Sequence, residues 1–245
     1  MKSRKLLVVV SVLMIGAAVA LMGCQFNASR GAGAASTLVK GETMSESEII
    51  ELSKRMVERS DKENRVAKTN SAYAKRLVKL TKGLTTEDGL ALNFKVYMTA
   101  DVNAWAAADG SIRVYSGLMD IMTDDELFFI LGHEIGHVKH GHTVEAMRHA
   151  YRVSAAVQAA GATHSAAAAV TDSQLGAITE EFLNAQFSQA QESESDKYGY
   201  NLLKKYNKPK SAAVSGLRKL GNAGGGAFAS HPNPQKRADT IEKMS

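Results

Sequence analysis

One cysteine, Cys24, is all the thiol chemistry this 245-residue chain carries. A lone cysteine excludes an internal disulfide, so the fold must be held by its core. The chain also lacks a basic surface run. Its formal net charge is +5, but Lys2, Arg4 and Lys5 stand ahead of an apolar stretch that reads as a removable leader, and 5 − 3 leaves +2. With no arginine-rich patch elsewhere, nucleic acid is not expected as a partner. No internal repeat is present. The glycine-rich GNAGGG at 221–226 follows no strand pattern and has no Lys-Ser/Thr ending, which argues against a phosphate cradle.

Apolar length is scarce outside the first residues. LLVVVSVLMIGAAVALMG at 6–23 runs uncharged between a cationic start and Cys24, which describes a secretory leader. The ending Leu21-Met22-Gly23-Cys24 resembles a bacterial lipobox, in which cleavage precedes the cysteine and the thiol carries lipid. Residues 1–23 are therefore expected to be a lipoprotein signal, with Cys24 the lipid attachment point; an uncleaved N-terminal membrane helix is the alternative. Gln25, a non-aspartate after the lipidated position, resembles the sorting signal for an outer-membrane, periplasm-facing location. Residues 24–46, rich in Gly, Ala and Ser, read as a tether, and 47–245 as one catalytic domain. No transmembrane helix is expected after the leader.

Hydrophobic residues make up 44% of the chain, enough for one substantial core. Helical periodicity starts near Ser45 and again at Ser71, where Tyr73, Leu77 and Leu80 share a face and Gly83 closes the run. Three short runs follow, at 93–100, 102–107 and 111–117, the last two flanking Asp109-Gly110, a hairpin turn signal. They predict a small antiparallel sheet. From Thr123 the pattern is helical: about 124–140, 143–159, 172–189, 191–206, 210–220 and 233–243. The fold class expected is α+β, mostly helical.

Scarcity ends at FFILGHEIGHVKHGH, residues 128–142, which holds four of the seven histidines. Thr123 and Glu126 have capping-box spacing, and Leu127, Ile130, Leu131, Ile135 and Val138 form an apolar side. On such a helix residues i and i+4 stack about 6 Å apart, so His133 and His137 aim two imidazoles at one point, where Zn–N bonds of about 2.1 Å can close. Glu134, about 100° round the helix from His133, flanks that point as a general base for water. Gly132 and Gly136 each cost a helix up to about 1 kcal/mol relative to alanine, which indicates close approach by another element. His140 lies about 10 Å along the axis from His133 and cannot complete the site. His142, after the C-cap signal Gly141, is expected in packing, with support of the site from outside as the alternative.

A zinc site that keeps a water needs a third protein ligand. The helix QAQESESDKYGYNLL carries Glu192 and Asp196 at i and i+4, so one can ligate while the other accepts a hydrogen bond from a ligand imidazole. Glu194, about 200° from Glu192, is expected to face away.

H-E-x-x-H followed by E-x-x-x-D on a later helix resembles the gluzincin arrangement. GHEIGH together with SQAQESESD resembles the HtpX and CAAX-prenyl-protease family of zinc endopeptidases, over most of residues 60–245. The resemblance implies a zincin-like domain with one Zn2+ per chain, ligated by His133, His137 and Glu192, with Glu134 as base and Asp196 behind a ligand. Ser195 stands where relatives usually carry alanine. Substrate addition to a sheet edge suits this chemistry; VNAWAA at 102–107 is the edge candidate, and Asn103 and Ala104 match the family's N-A-aromatic strand. HPNPQKR resembles the family's H-P-x-P-x-x-R, implying His231 as oxyanion donor or inhibitory fourth ligand and Arg237 as charge stabiliser. The activity implied is endopeptidase action on damaged or misassembled envelope polypeptides. A proteolytically silent zinc lipoprotein acting as chaperone or adaptor is the rival, and Glu134 argues against it.

Overall fold

Five helix starts fall where the chain offers a hydroxyl. The side chains of Ser45, Ser71, Thr123, Thr171 and Ser188 each accept a hydrogen bond from the backbone N–H three residues on. The computed structural model describes residues 44–161, 170–223 and 230–244. The expected leader, Cys24, the expected tether up to residue 43, the Ala-rich stretch at 162–169, the Gly-rich stretch at 224–229 and Ser245 lie outside the described residues.

Two helices, α1 (Glu46–Glu63) and α2 (Ala72–Leu80), precede strands β1 (Asn93–Tyr97), β2 (Ala104–Ala106) and β3 (Ser111–Tyr115). Then come α3 (Ser116–Ile121), α4 (Asp124–Lys139), α5 (His142–Gly161), α6 (Asp172–Asn184), α7 (Gln189–Lys205), α8 (Lys210–Asn222) and α9 (Pro234–Glu242). The mostly helical α+β class is as expected, and no described helix is long and apolar enough to cross a membrane.

The sheet is mixed rather than wholly antiparallel. Strand order is β1-β3-β2; β2 and β3 form the predicted hairpin, but β1 runs parallel to β3. Alternation in sequence reports which faces are buried and not strand direction, so the β1 pairing was decided by tertiary packing. Gly110 closes the hairpin at φ +82, and a β-carbon there would stand 2.1 Å from the carbonyl oxygen of Ala91. Only glycine fits that turn.

The second departure is at 185–188. The apolar period predicts one helix over 172–189, but α6 stops at Asn184 and α7 starts at Gln189, behind a Ser188–Gln191 capping box. The intervening loop carries Phe187 onto the functional site. Gly221 and Asn222, beyond the expected end of that helix at about 220, extend α8.

Helix α4 is central. Leu127, Phe129, Ile130, Leu131 and Ile135 are fully buried against Leu202 and Leu203 of α7, Leu217 and Leu220 of α8, and Ile112 and Val114 of the sheet. Each such side chain contributes about 1.5–3 kcal/mol on burial. A second cluster joins α1 (Ile49, Met56) to Trp105, Met147, Ile178 and Phe182. The fully buried Arg113 of β3 pins α1 to the sheet: its Nε and Nη2 donate to the Asp61 carboxylate at 2.8 and 3.0 Å, and Lys95 and Tyr97 donate to the same group.

Candidate metal centre

Glycine sets the distance between the two helices that build the site. A β-carbon at Gly132 would stand 3.0 Å from Gly199 Cα, and one at Gly136 would stand 2.9 Å from Ser195 Cα. The close approach indicated by these glycines is thus made by α7, and it brings Glu192 and Asp196 alongside His133 and His137. All four are buried.

The ligand atoms converge as the spacing requires. His133 Nε2 lies 3.1 Å from His137 Nε2, and Glu192 Oε1 lies 3.4 Å from His137 Nε2. His231, at the entry to α9, joins them: its Nδ1 is 3.1 Å from His133 Nε2 and 2.9 Å from Glu192 Oε1. Donors about 2.1 Å from one centre in a tetrahedron stand about 3.4 Å apart; the separations just given lie between 2.9 and 3.4 Å, His133 Nε2 stands 3.6 Å from Glu192 Oε2, and all four donor atoms lie within 4.8 Å of one another. Burial holds the His133 imidazole well below its ordinary pKa and that of His137 down at about 3, so both are neutral. Burial pushes Glu192 upward, but the surrounding histidines outweigh it and hold the carboxyl well below the usual range. Neutral imidazoles and an ionised carboxylate closing on one buried point suit a zinc ion.

Glu134 points at the same centre without joining it. Its Oε1 is buried and makes no hydrogen bond among the described residues, with His231 Nε2 at 3.4 Å. Burial, reinforced by the charge of Glu192, pushes its pKa up to about 7, against the opposing pull of His231, Arg237 and the Ala106 backbone N–H. A carboxylate so poised can take a proton near neutral pH and return it.

Asp196 lies behind His133, with Oδ1 at 3.0 Å from Nδ1. Arg237 grips Asp196 through Nε and Nη2 at 2.8 and 2.6 Å and ion-pairs with Glu192 through Nη1. The guanidinium expected to stabilise charge is therefore committed to the two carboxylates on the ligand side. Glu194 faces away from the metal point, as the helix spacing predicts.

β2 is an edge strand, and Ala106 brings it to Glu134. Asn103 O and Ala107 N bond to β3, so alternation along the hairpin turns the polar groups of Ala104 and Ala106 away from β3. The buried Asn103 Oδ1 has no hydrogen-bond partner among the described residues.

Of two further neighbours, Phe187 was not anticipated as a site residue, and His142 takes the role given above as the alternative to packing. Phe187 lies with its ring 3.9 Å from that of His137 and 5.3 Å from that of His231, and its N–H donates to Ser230 O. An aromatic in a short polar loop carries little sequence signal. His142 turns back to place Nδ1 3.2 Å from His137 Nδ1. The signal available for it was Gly141, whose φ of +73 reverses the chain between α4 and α5.

The sequence profile described as Peptidase family M48 matches residues 71–245. The chain is similar to metalloprotease YcaL of Escherichia coli (strain K12), 38% identical over 98% of this chain and 97% of that one. It is likewise similar to metalloprotease LoiP of the same organism, 38% identical over 100% of this chain and 98% of that one.

Proposed function

The chain belongs to peptidase family M48 and is a zinc metalloprotease, and from that premise we propose that it is a lipid-anchored, periplasm-facing endopeptidase of the outer membrane that cuts damaged or misassembled envelope polypeptides. The observation that carries the endopeptidase reading is the buried Glu134 carboxylate beside both the ligand cluster and an edge strand.

An unfolded polypeptide would add along β2, exchanging backbone hydrogen bonds with the outward groups of Ala104 and the carbonyl of Ala106, whose N–H faces Glu134, and meeting the unpartnered Asn103 Oδ1. Backbone pairing makes little demand on substrate sequence, which suits a chain meant to recognise loss of structure. His133, His137 and Glu192 would hold the zinc, which when bound would supply Lewis-acid polarisation of the scissile carbonyl and of water. Glu134 takes the proton from the attacking water and passes it to the leaving amine. Asp196 and Arg237 hold His133 and Glu192 in place. His231 Nδ1 stands among the donors where a water is needed, so we read it as a resting fourth ligand that leaves the cluster during turnover. The anchoring part of the proposal rests on the leader and Cys24.

The test is cleavage of an unfolded model polypeptide by the purified protein, with zinc content measured in parallel. Fragments are expected from wild type, and Glu134→Gln should keep its zinc but release none, because an amide cannot accept the proton. Suppressed aggregation without fragments, unchanged in Glu134→Gln, would favour the chaperone or adaptor reading.

A further inference from the structure

The two ligand imidazoles of α4 are held from behind by different means. His133 Nδ1 meets the Asp196 carboxylate directly. Among the described residues His137 Nδ1 meets no carboxylate; it faces His142 Nδ1 at 3.2 Å, and the far nitrogen of that ring, Nε2, lies 3.0 Å from Glu194 Oε2. Ser195 Oγ stands 3.4 Å from the same His142 Nδ1. His142 is buried, whereas the Glu194 side chain is 59% exposed.

Proton bookkeeping along this chain has one solution. An ionised carboxylate is an acceptor only, so His142 Nε2 carries the hydrogen and donates it to Glu194. The neutral ring then has its lone pair on Nδ1, where it accepts from His137 Nδ1–H. That leaves the His137 lone pair on Nε2, the atom 3.1 Å from His133 Nε2 in the ligand cluster. The hydroxyl of Ser195, as a donor, suits the same tautomer. We propose that Glu194 and His142 are positioning residues for the zinc site: the surface carboxylate sets the tautomer of His142, and His142 sets the tautomer and ring orientation of the ligand His137. The inference rests on the zinc reading of the cluster but adds residues that neither ligate nor contact substrate. It also revises the expectation for Glu194, which faces away from the metal and yet reaches it through two imidazoles.

Groups that orient a metal-bound histidine typically change affinity or activity by 10–100-fold when removed. The experiment is competition for zinc against a chromophoric chelator by the full-length protein, with the absorption spectrum of the cobalt-substituted protein as a second readout of ligand geometry. Wild type binding one zinc establishes the premise on its own. His142→Phe, which keeps a ring of similar size, should weaken zinc about 10–100-fold and alter the cobalt spectrum. Glu194→Gln, a change at an exposed position that leaves packing alone, should weaken zinc by a smaller factor of about 3–10. The double variant should be no weaker than His142→Phe alone, since residues acting through one contact are not additive. Zinc affinity within twofold of wild type in Glu194→Gln would overturn the proposal, as would a Glu194 effect that persists undiminished in the His142→Phe background. Because Glu194 is exposed, its arm decides the matter even if His142→Phe fails to fold.

Discussion

Gly136 of α4 and Ser195 of α7 approach so closely that a β-carbon on the glycine would stand 2.9 Å from the serine Cα. That contact places the acidic residues of α7 against the histidines of α4. Gly136→Ala gains up to about 1 kcal/mol of helix propensity, but overpacking of a filled contact costs about 1–3 kcal/mol. The α-carbon it meets is backbone and cannot rotate aside. Net destabilisation is expected, with Tm falling about 2–4 °C per kcal/mol, together with weaker zinc binding. A melting temperature above wild type would show that the helices separate at little cost.

The acidic residues of α7 should separate by role. Glu192→Ala removes a ligand atom that lies 3.4 Å from His137 Nε2 and should lose zinc or all turnover. Asp196→Ala removes the support of His133 and leaves the buried Arg237 guanidinium short of its main partner; a 10–100-fold loss of zinc affinity or activity is expected. Chelator competition ranks the two, and a zinc-loaded, active Glu192→Ala protein would show the ligand register to be wrong.

His231→Ala addresses the fourth donor. If His231 rests on the metal, as proposed above from its Nδ1 at 2.9 Å from Glu192 Oε1, the variant should bind zinc more weakly yet cleave an unfolded polypeptide at least as fast as wild type. Retained zinc with lost turnover would assign the residue to the oxyanion instead. Initial cleavage rates, normalised to bound zinc, distinguish these.

Far from the metal, Asp61 governs acid stability. Burial pushes its carboxyl up, but Arg113, Lys95 and Tyr97 outweigh this and hold it below the ordinary value of 3.8. A carboxyl whose folded pKa is depressed contributes stability that is present above the unfolded pKa and lost as pH falls through the folded one. Asp61→Asn strands the buried Arg113 and should cost about 3 kcal/mol at neutral pH. The gap to wild type in denaturant titrations should narrow below about pH 4; a gap that is constant with pH would remove the electrostatic account.

Cys24→Ser should abolish lipid labelling and leave the leader unprocessed, because the thiol is the only one in the chain. Labelling with a fatty-acid probe, followed by membrane fractionation, checks this. A wild-type protein recovered soluble, or in the inner membrane, would contradict the proposed outer-membrane anchoring.

What the sequence determined by itself was whatever depends on neighbours along one helix. The i, i+4 spacing of His133 and His137 put both imidazoles on one face, Thr123 and Glu126 set where that helix begins, and the spacing of Glu192 and Asp196 paired them on another. Hairpin chemistry at Asp109-Gly110 was equally local. Tertiary structure decided everything that joins distant segments. The parallel pairing of β1 with β3, the arrival of His231 Nδ1 among the ligands, the clamp of Arg237 on Asp196 and the reach of Glu194 through His142 to His137 link residues 5 to 98 positions apart. Period and propensity describe one element at a time, whereas these contacts follow from how closely two glycine-faced helices pack and where a loop then comes to rest.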